Sequence, residues 1–403
     1  MAPHTQQNST GFYGLGIAPK ILATLDRLKF QTPTPIQHKA IPAAIAGTDI
    51  IGVAQTGTGK TLAFAIPMIQ RLEQEKGRGL VLLPTRELAL QVEEVFQKVG
   101  HASGMKTAVL IGGASMYHQV QSLKANPRII IATPGRLIDH LEQRNVNLGE
   151  VKVLVLDEAD RMLDMGFQPQ IERVLRTIPK DRQTMLFSAT MPREILGLAT
   201  SYMKLPVHVE IAPSGTAAER VTQEVFIVKQ DSKRKLLEKL LAQYHGTVLL
   251  FSRTRIGARK ITRAIKDMGH RVSEIHSDKT LAQRREALEG FKSGKYRVLV
   301  ATDIAARGID VTGIELVLNY DLPDDTGNYV HRIGRTGRIG REGHAISFAT
   351  PDQGNDVKGI ESLIKTALPI SEHPEIPTER FAKPQVVFRS NRFKRRLPHR
   401  RAF

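Results

Sequence analysis

Short apolar runs recur along the chain, each closed by a polar or glycine-containing turn and followed by a segment with helical period. The first series is Ile50–Ala54, Leu80–Leu83, Ile129–Ile131, Val153–Leu156 and Thr184–Phe187. The second is Val248–Phe251, Val298–Val300 and Ile314–Leu318. Runs that are apolar at successive positions belong to strands buried on both faces. Strands alternating with helices build parallel sheets, so two series predict two α/β domains. Between them Glu210–Glu219 is rich in small and turn-forming residues and reads as a linker. The expected division is a first domain over 1–209, a linker over 210–219, a second domain over 220–370, and a proline-containing, basic, disordered tail over 371–403. A length of 403 residues, more than one core commonly supports, agrees with two domains.

Charge changes the picture next. The chain carries 58 Lys and Arg against 40 Asp and Glu, a formal net charge of +18, which favours a polyanionic partner. Roughly +5 of this falls in 1–210 and roughly +13 in 211–403. From Lys383 onward there is no acidic residue, and Phe388 and Phe393 stand among Arg389, Arg392, Lys394, Arg395 and Arg396. Rings among cations can stack bases while the charges hold phosphates. Cysteine is absent, which excludes disulfides and thiolate metal sites and suits a reducing cytosol. No apolar run approaches membrane-spanning length, and the first ten residues lack a secretory pattern. A cytoplasmic protein without a membrane partner is expected.

The chemistry concentrates in two stretches. Val151–Asp160 is a buried-strand pattern that ends in Asp157, Glu158 and Asp160. Carboxylates at the carboxyl end of such a strand lie where open α/β sheets bind ligands. Asp157 is placed to hold Mg²⁺, and Glu158, elsewhere on the pleat, to accept a proton from an attacking water. About a hundred residues earlier, Ala54-Gln55-Thr56-Gly57-Thr58-Gly59-Lys60-Thr61 lies between a strand and a helix. Its glycines let backbone N–H groups converge on phosphate oxygens, Lys60 can reach the β- and γ-phosphates, and Thr61 can ligate Mg²⁺. The loop opens on Ala54 where the general phosphate-loop pattern has glycine. Gln37 offers an amide able to pair with two edge groups of adenine at once. Ser188 and Thr190, just past the fifth strand, can bond Asp160. Arg335 and Arg338, three apart, would share one face of a helical turn.

With the segments around them, these stretches resemble the DEAD-box ATP-dependent RNA helicases from about Phe12 to Leu368. The resemblance rests on an ordered set: Pro33–Gln37, Ala54–Thr61, Pro84–Ala89, Gly112-Gly113, Thr133–Arg136, Asp157–Asp160, Ser188–Thr190, Ala301–Asp310 and His331–Arg338. Within the family, the compact core, His276–Lys279 and the basic tail are most similar to the bacterial RhlE-like branch. The resemblance implies two RecA-like domains that bind ATP and Mg²⁺ between them. It implies that Phe12 stacks on the base, with Phe30 and Thr32 nearby, that Asp310 accepts from the ribose, and that Arg335 and Arg338 are arginine fingers. His331 would join Asp160, Ser188 and Thr190 in coupling the sites. Thr85, Arg86, Gly112, Gly113, Thr133 and Arg136 of the first domain, and Thr302, Asp303 and Arg307 of the second, would bind the RNA backbone. Such contacts carry no base readout, so single-stranded and short duplex RNA would bind without sequence preference, to a monomeric core. Leu281 stands where the family usually has glutamine, while Arg284 is retained. The expected activity is an RNA-dependent ATPase that remodels RNA locally; the alternative is an ATP-gated RNA clamp with hydrolysis as a timer.

Overall fold

The computed structural model describes residues 11–55, 57–211, 221–303, 311, 313–337 and 343–382. The first domain holds seven strands: β1 (Ile50–Val53), β2 (Arg78–Leu82), β3 (Thr107–Leu110), β4 (Ile129–Ala132), β5 (Val151–Leu156), β6 (Gln183–Ser188) and β7 (Val207–Glu210). They form one sheet in the order β3-β4-β2-β5-β6-β1-β7, and every pairing is parallel. The second domain holds β8 (Val221–Ile227), β9 (Val248–Phe251), β10 (Val272–Ile275), β11 (Val298–Ala301), β12 (Leu316–Asn319) and β13 (Gly343–Ala349). Their order is β10-β11-β9-β12-β13-β8, again parallel throughout.

All eight apolar runs became strands, because side chains on both faces of each sheet are buried. In β5, Val153 and Val155 enter the core on one face, and Val151, Leu154 and Leu156 enter the core on the other. The second sheet is likewise covered on both faces.

The order of the first sheet has a functional consequence. Loops leaving β5, β6 and β1 emerge side by side, and loops leaving β3, β4 and β2 emerge side by side on the other half. Residues 157–160, 188–190 and 54–61 therefore gather at one place. Residues 84–86, 112–113 and 133–136 gather at another.

The second domain runs further than its expected end at 370. Pro369 O accepts from Val225 N at 2.9 Å, Val225 O accepts from Ser371 N at 2.9 Å, and Ile227 O accepts from Glu379 N at 3.1 Å. Ile376 is buried in the second-domain core, Phe381 packs against that domain, and Ala382 N donates to Pro351 O at 2.8 Å. Residues 369–382 thus cover the free edge of β8, which satisfies backbone groups that an open edge would expose. The proline count of the segment misled the tail assignment. The basic residues from Lys383 onward lie outside the described residues.

Lys29 stands where the resembled family has glycine, and the backbone explains why glycine suits the position. The helix Pro19–Arg27 ends in a Schellman arrangement, with Lys29 N on Asp26 O and Phe30 N on Leu25 O, both at 2.9 Å. This puts Lys29 in the left-handed region, φ 63°. Lys29→Gly should raise the stability of the first domain by about 1 kcal/mol, since a Cβ is disfavoured there. Urea unfolding of the two proteins, compared by midpoint at equal slope, checks this.

Candidate active site and nucleic-acid groove

The phosphate loop leaves β1 and turns into the helix Lys60–Gln74. Gly57 and Gly59 adopt φ 83° and 90°, open to glycine at little cost. A Cβ on Gly59 would collide with Gln37 Nε2. Gln37 itself is buried: its Oε1 accepts from Thr34 N at 2.9 Å, and its Nε2 donates to Gly59 O at 3.0 Å. One amide thus caps its own helix and grips the phosphate loop, leaving one N–H and one oxygen lone pair for a ligand. Lys60 Nζ donates to Ala54 O at 2.6 Å, and Thr58 Oγ1 to Gln55 O at 2.7 Å, so the loop is braced from within. Thr61 opens that helix beside Lys60. Thr56 lies outside the described residues.

Phe12 corrects an expectation. At 3% exposure it is packed into the first-domain core, so its ring has no free face for a base in this structure. Its apolar neighbours, Leu15 and Ile17 among them, fix the segment that leads to Gln37. Phe30, 42% exposed, presents an open ring in this region, as does Tyr13 at 61%, and Thr32 is exposed beside Phe30.

The carboxylates follow β5. Glu158 is not part of the pleat: β5 ends at Leu156, and Glu158 has φ 51°, ψ 49°, a left-handed residue that starts the helix Ala159–Asp164. A non-glycine residue held there costs local strain and marks a position that its surroundings impose. Its Oε2 accepts from Arg161 Nη1 at 3.2 Å, with both side chains buried. Asp157 is buried too, and burial pushes its carboxyl up to about 7; Lys60 opposes the rise, and Glu158 and Asp160 add to it. Asp160 is the hub. Its Oδ2 accepts from Ala189 N at 3.1 Å and from Thr190 N and Oγ1 at 2.8 Å, while Asp160 N donates to Ser188 Oγ at 3.2 Å. Burial alone would raise its carboxyl. The nearby His331, Lys60 and Arg161 together with the Thr190 hydrogen bond win, and it is held below its ordinary value. His331 is driven well below the ordinary histidine range by desolvation and by Arg161, Arg335 and Lys60, against the pull of Asp160.

The buried carboxylates of Asp157 and Glu158 are hard oxygen donors of the kind a hard cation takes. Among the described residues no three His, Cys, Asp or Glu side chains form a protein cage for a metal. Mg²⁺ takes one or two carboxylates and completes its shell with phosphate and water.

The second domain meets these groups from the helix Thr326–Ile333 and the turn after it. Arg335 lies beyond the end of that helix, in the turn that follows it; Arg338 and Asp310 lie outside the described residues. Arg335 is buried, with Nε donating to His331 O at 3.2 Å. It lines a small cavity with His331, Arg332, Asp303 and, from the first domain, Arg161.

Sequence reading missed Arg332. Its Nε and Nη2 bind Asp303 at 2.6 and 2.7 Å, its Nη1 donates to Asn319 Oδ1 at 3.1 Å and Asp321 O at 2.7 Å, and it stacks 4.9 Å above the Phe251 ring. The Asp303 carboxylate is committed to a bidentate pair that braces the arginine turn, and a carboxylate repels phosphate.

On the other half of the sheet, Thr85, Arg86, Gly112, Gly113, Thr133 and Arg136 all line one groove of ≈ 490 Å³, closed from the second domain by Ser277 and Arg284. Thr85 caps its helix by accepting from Leu88 N at 3.4 Å, and Arg136 Nη1 donates to Ala114 O at 3.3 Å. Gly113, at φ 75°, leaves room for the Arg86 guanidinium, which a Cβ would strike. Thr302 is buried just past β11 and does not line this groove, and Arg307 lies outside the described residues. Two further residues join the domains here. Arg284 Nη2 pairs with Glu87 Oε2 at 3.0 Å with both side chains nearly buried, and Leu281 packs on the first-domain core. The apolar residue in place of glutamine is thus an interdomain contact one helical turn from the ion pair.

Residues 34–198 match the family model for the DEAD/DEAH box helicase, and residues 232–340 that for the helicase conserved C-terminal domain. The ATP-dependent RNA helicase CshA of Listeria monocytogenes is 43% identical over 88% of this chain and 69% of its own length. The ATP-dependent rRNA helicase RRP3 of Debaryomyces hansenii is 40% identical over 92% of this chain and 79% of its own. Among solved structures, S. cerevisiae Dbp5 bound to RNA and ADP BeF3 superposes with a TM-score of 0.81 at 32% identity, covering 90% of this chain and 96% of that one. One superposition of that quality over both sheets requires the same relative placement of the two domains. The chain belongs to the DEAD-box family of ATP-dependent RNA helicases.

Proposed function

We propose that closure of the two domains around ATP lets this enzyme bend one RNA strand away from its partner, without reading sequence. The observation that carries this is the division of one sheet into two loop clusters, both of which the second domain meets at once. Arg335 and His331 face residues 157–161, while Arg284 and Ser277 close the groove. ATP and RNA each favour that arrangement, so each strengthens the binding of the other.

In this reading Gln37, Phe30 and Thr32 receive the base, and Gln55–Lys60 cradle the phosphates. Thr61 and Asp157 would hold Mg²⁺, which neutralises phosphate charge when bound. Glu158 accepts the proton of the attacking water, and Arg335 stabilises charge on the transferred phosphoryl group. Asp160, with Ser188, Thr190 and His331, carries the signal between the sites. Threonine hydroxyls, backbone N–H groups and arginines in the groove hold phosphate and sugar, which fixes register without base contacts. Base-pair steps are worth about 1.4 kcal/mol, so differential binding of a few kcal/mol opens only short helices. The segment His276–Lys279 and the basic tail support placement in the RhlE-like branch, and a chain without cysteine suits a cytoplasmic site of action. Ribosomal RNA is the first substrate to try, since RRP3 is an rRNA helicase.

Multiple-turnover unwinding of a short RNA duplex, with matched DNA as competitor, tests the reading. RNA should stimulate ATP loss and be unwound, and its affinity should fall by about 10³–10⁵ between 50 and 200 mM salt if six to ten phosphates are held. Stimulated hydrolysis without strand release would leave the clamp; equal competition by DNA would count against 2′-hydroxyl contacts.

A further inference from the structure

Arg161 follows the acidic stretch and has no place in the roles assigned so far. It is 2% exposed, and its Nη1 donates to Glu158 Oε2 at 3.2 Å. The hydrogen bonds among the described residues engage only that oxygen of Glu158, which leaves Oε1 for another donor. Arg161 Nε is buried with no hydrogen-bond partner among the described residues. A buried donor left unpaired calls for an explanation, and a one-point contact is not how arginine best holds a carboxylate. The rest of the side chain faces the second domain. It shares a cavity wall with His331 and Arg335, and its charge is a leading cause of the depressed basicity of His331.

A buried ion pair alone is weak grounds for function, since such pairs often do no more than satisfy each other. Three features set this one apart. Its carboxylate belongs to the residue at φ 51°, held by its surroundings in a conformation unfavourable to a side chain. Its guanidinium sits on the first domain yet contributes to the wall made by the second. Finally, the residue is next to Asp160, whose carboxylate holds Thr190, so a shift of this helix turn would move both.

We propose that Arg161 is a positioning residue for hydrolysis. It fixes one oxygen of Glu158 so that the other faces the attacking water, and it does so only when His331 and Arg335 close over it. This rests on Glu158 being the proton acceptor.

The test is a double-mutant cycle on the full chain, reading single-turnover ATP hydrolysis at saturating RNA for wild type, Arg161→Ala, Arg161→Lys, Glu158→Gln and the Arg161→Ala/Glu158→Gln pair. Arg161→Ala should lower the rate about 10–100-fold, the scale of a misplacement near 1 Å, with KM for ATP changed less than about 3-fold. Arg161→Lys should recover part of the rate. In the Glu158→Gln background the alanine change should do nothing further, because there is no base left to place. If the two losses multiply, or if Arg161→Ala acts through KM, the positioning role is wrong. If Glu158→Gln turns over near normally, the base assignment itself falls, whatever Arg161 does. The pair variant removes both buried charges together, so an unfolded single variant does not end the test.

Discussion

Glu158→Gln should lower ATP turnover by about 10²–10⁴-fold, the usual contribution of a positioned general base, while ATP and RNA binding persist. The amide has the shape of the carboxylate and keeps an oxygen for Arg161 Nη1, so the turn at φ 51° retains its anchor. What it loses is the ability to take a proton. Binding should survive because the groups proposed to hold the nucleotide are braced independently of Glu158: Lys60 through Ala54 O, and the loop through Gln37 and Gly59. Asp160 also keeps its three contacts with Ala189 and Thr190, so RNA should still favour closure. The variant should therefore accumulate as a closed complex of enzyme, ATP and RNA. Filter binding of labelled RNA with and without ATP, beside RNA-stimulated hydrolysis, measures both halves. Near-normal hydrolysis would remove Glu158 from the chemistry. Loss of ATP binding would instead point to damage from leaving Arg161 without its ionic partner.

The central strands were legible because they are buried on both faces, and a buried strand writes itself as a continuous apolar run. The edges were not. In β7 three of four residues are exposed, β10 carries Ser273 and Glu274, and β8 sets Thr222, Gln223 and Glu224 in succession between Val221 and Val225. Next to the edge, β13 hides behind His344 and Ser347, polar residues that the fold pairs with Glu224 and Asn319. The phosphate loop and the acidic stretch were legible for a different reason: their groups are local, so spacing alone brings them together. Contacts between distant segments left no such trace. Arg332 looked like one more cation in a basic run, and a charge run is by default a solvated face. Only the fold shows that it is buried on Asp303, Asn319 and Phe251. Leu281 read as a missing polar contact, yet the closed domains turn it into an apolar one.

That buried arginine is what makes the second large effect predictable. Arg332 and Asp303 form a rigid floor at the end of β11 and β12, and Arg335 stands one turn further on, its Nε tied to His331 O. A guanidinium shielded from water acts strongly on negative charge that develops beside it. Arg335→Ala should therefore lower RNA-stimulated turnover by about 10³–10⁵-fold, or roughly 4–7 kcal/mol of barrier, as for other arginine fingers. ATP affinity measured without RNA should change little, because the first domain alone carries residues 54–61 and Arg335 belongs to the second. Arg335→Lys should recover little of the rate, since an ammonium cannot reproduce the planar fork that spans two phosphate oxygens. Stopped-flow phosphate release at saturating RNA, beside nucleotide titrations without RNA, separates these expectations. A variant with unchanged turnover and an intact fold would move the finger to Arg338, and a loss confined to ATP affinity would make Arg335 a binding residue present in both the open and the closed enzyme.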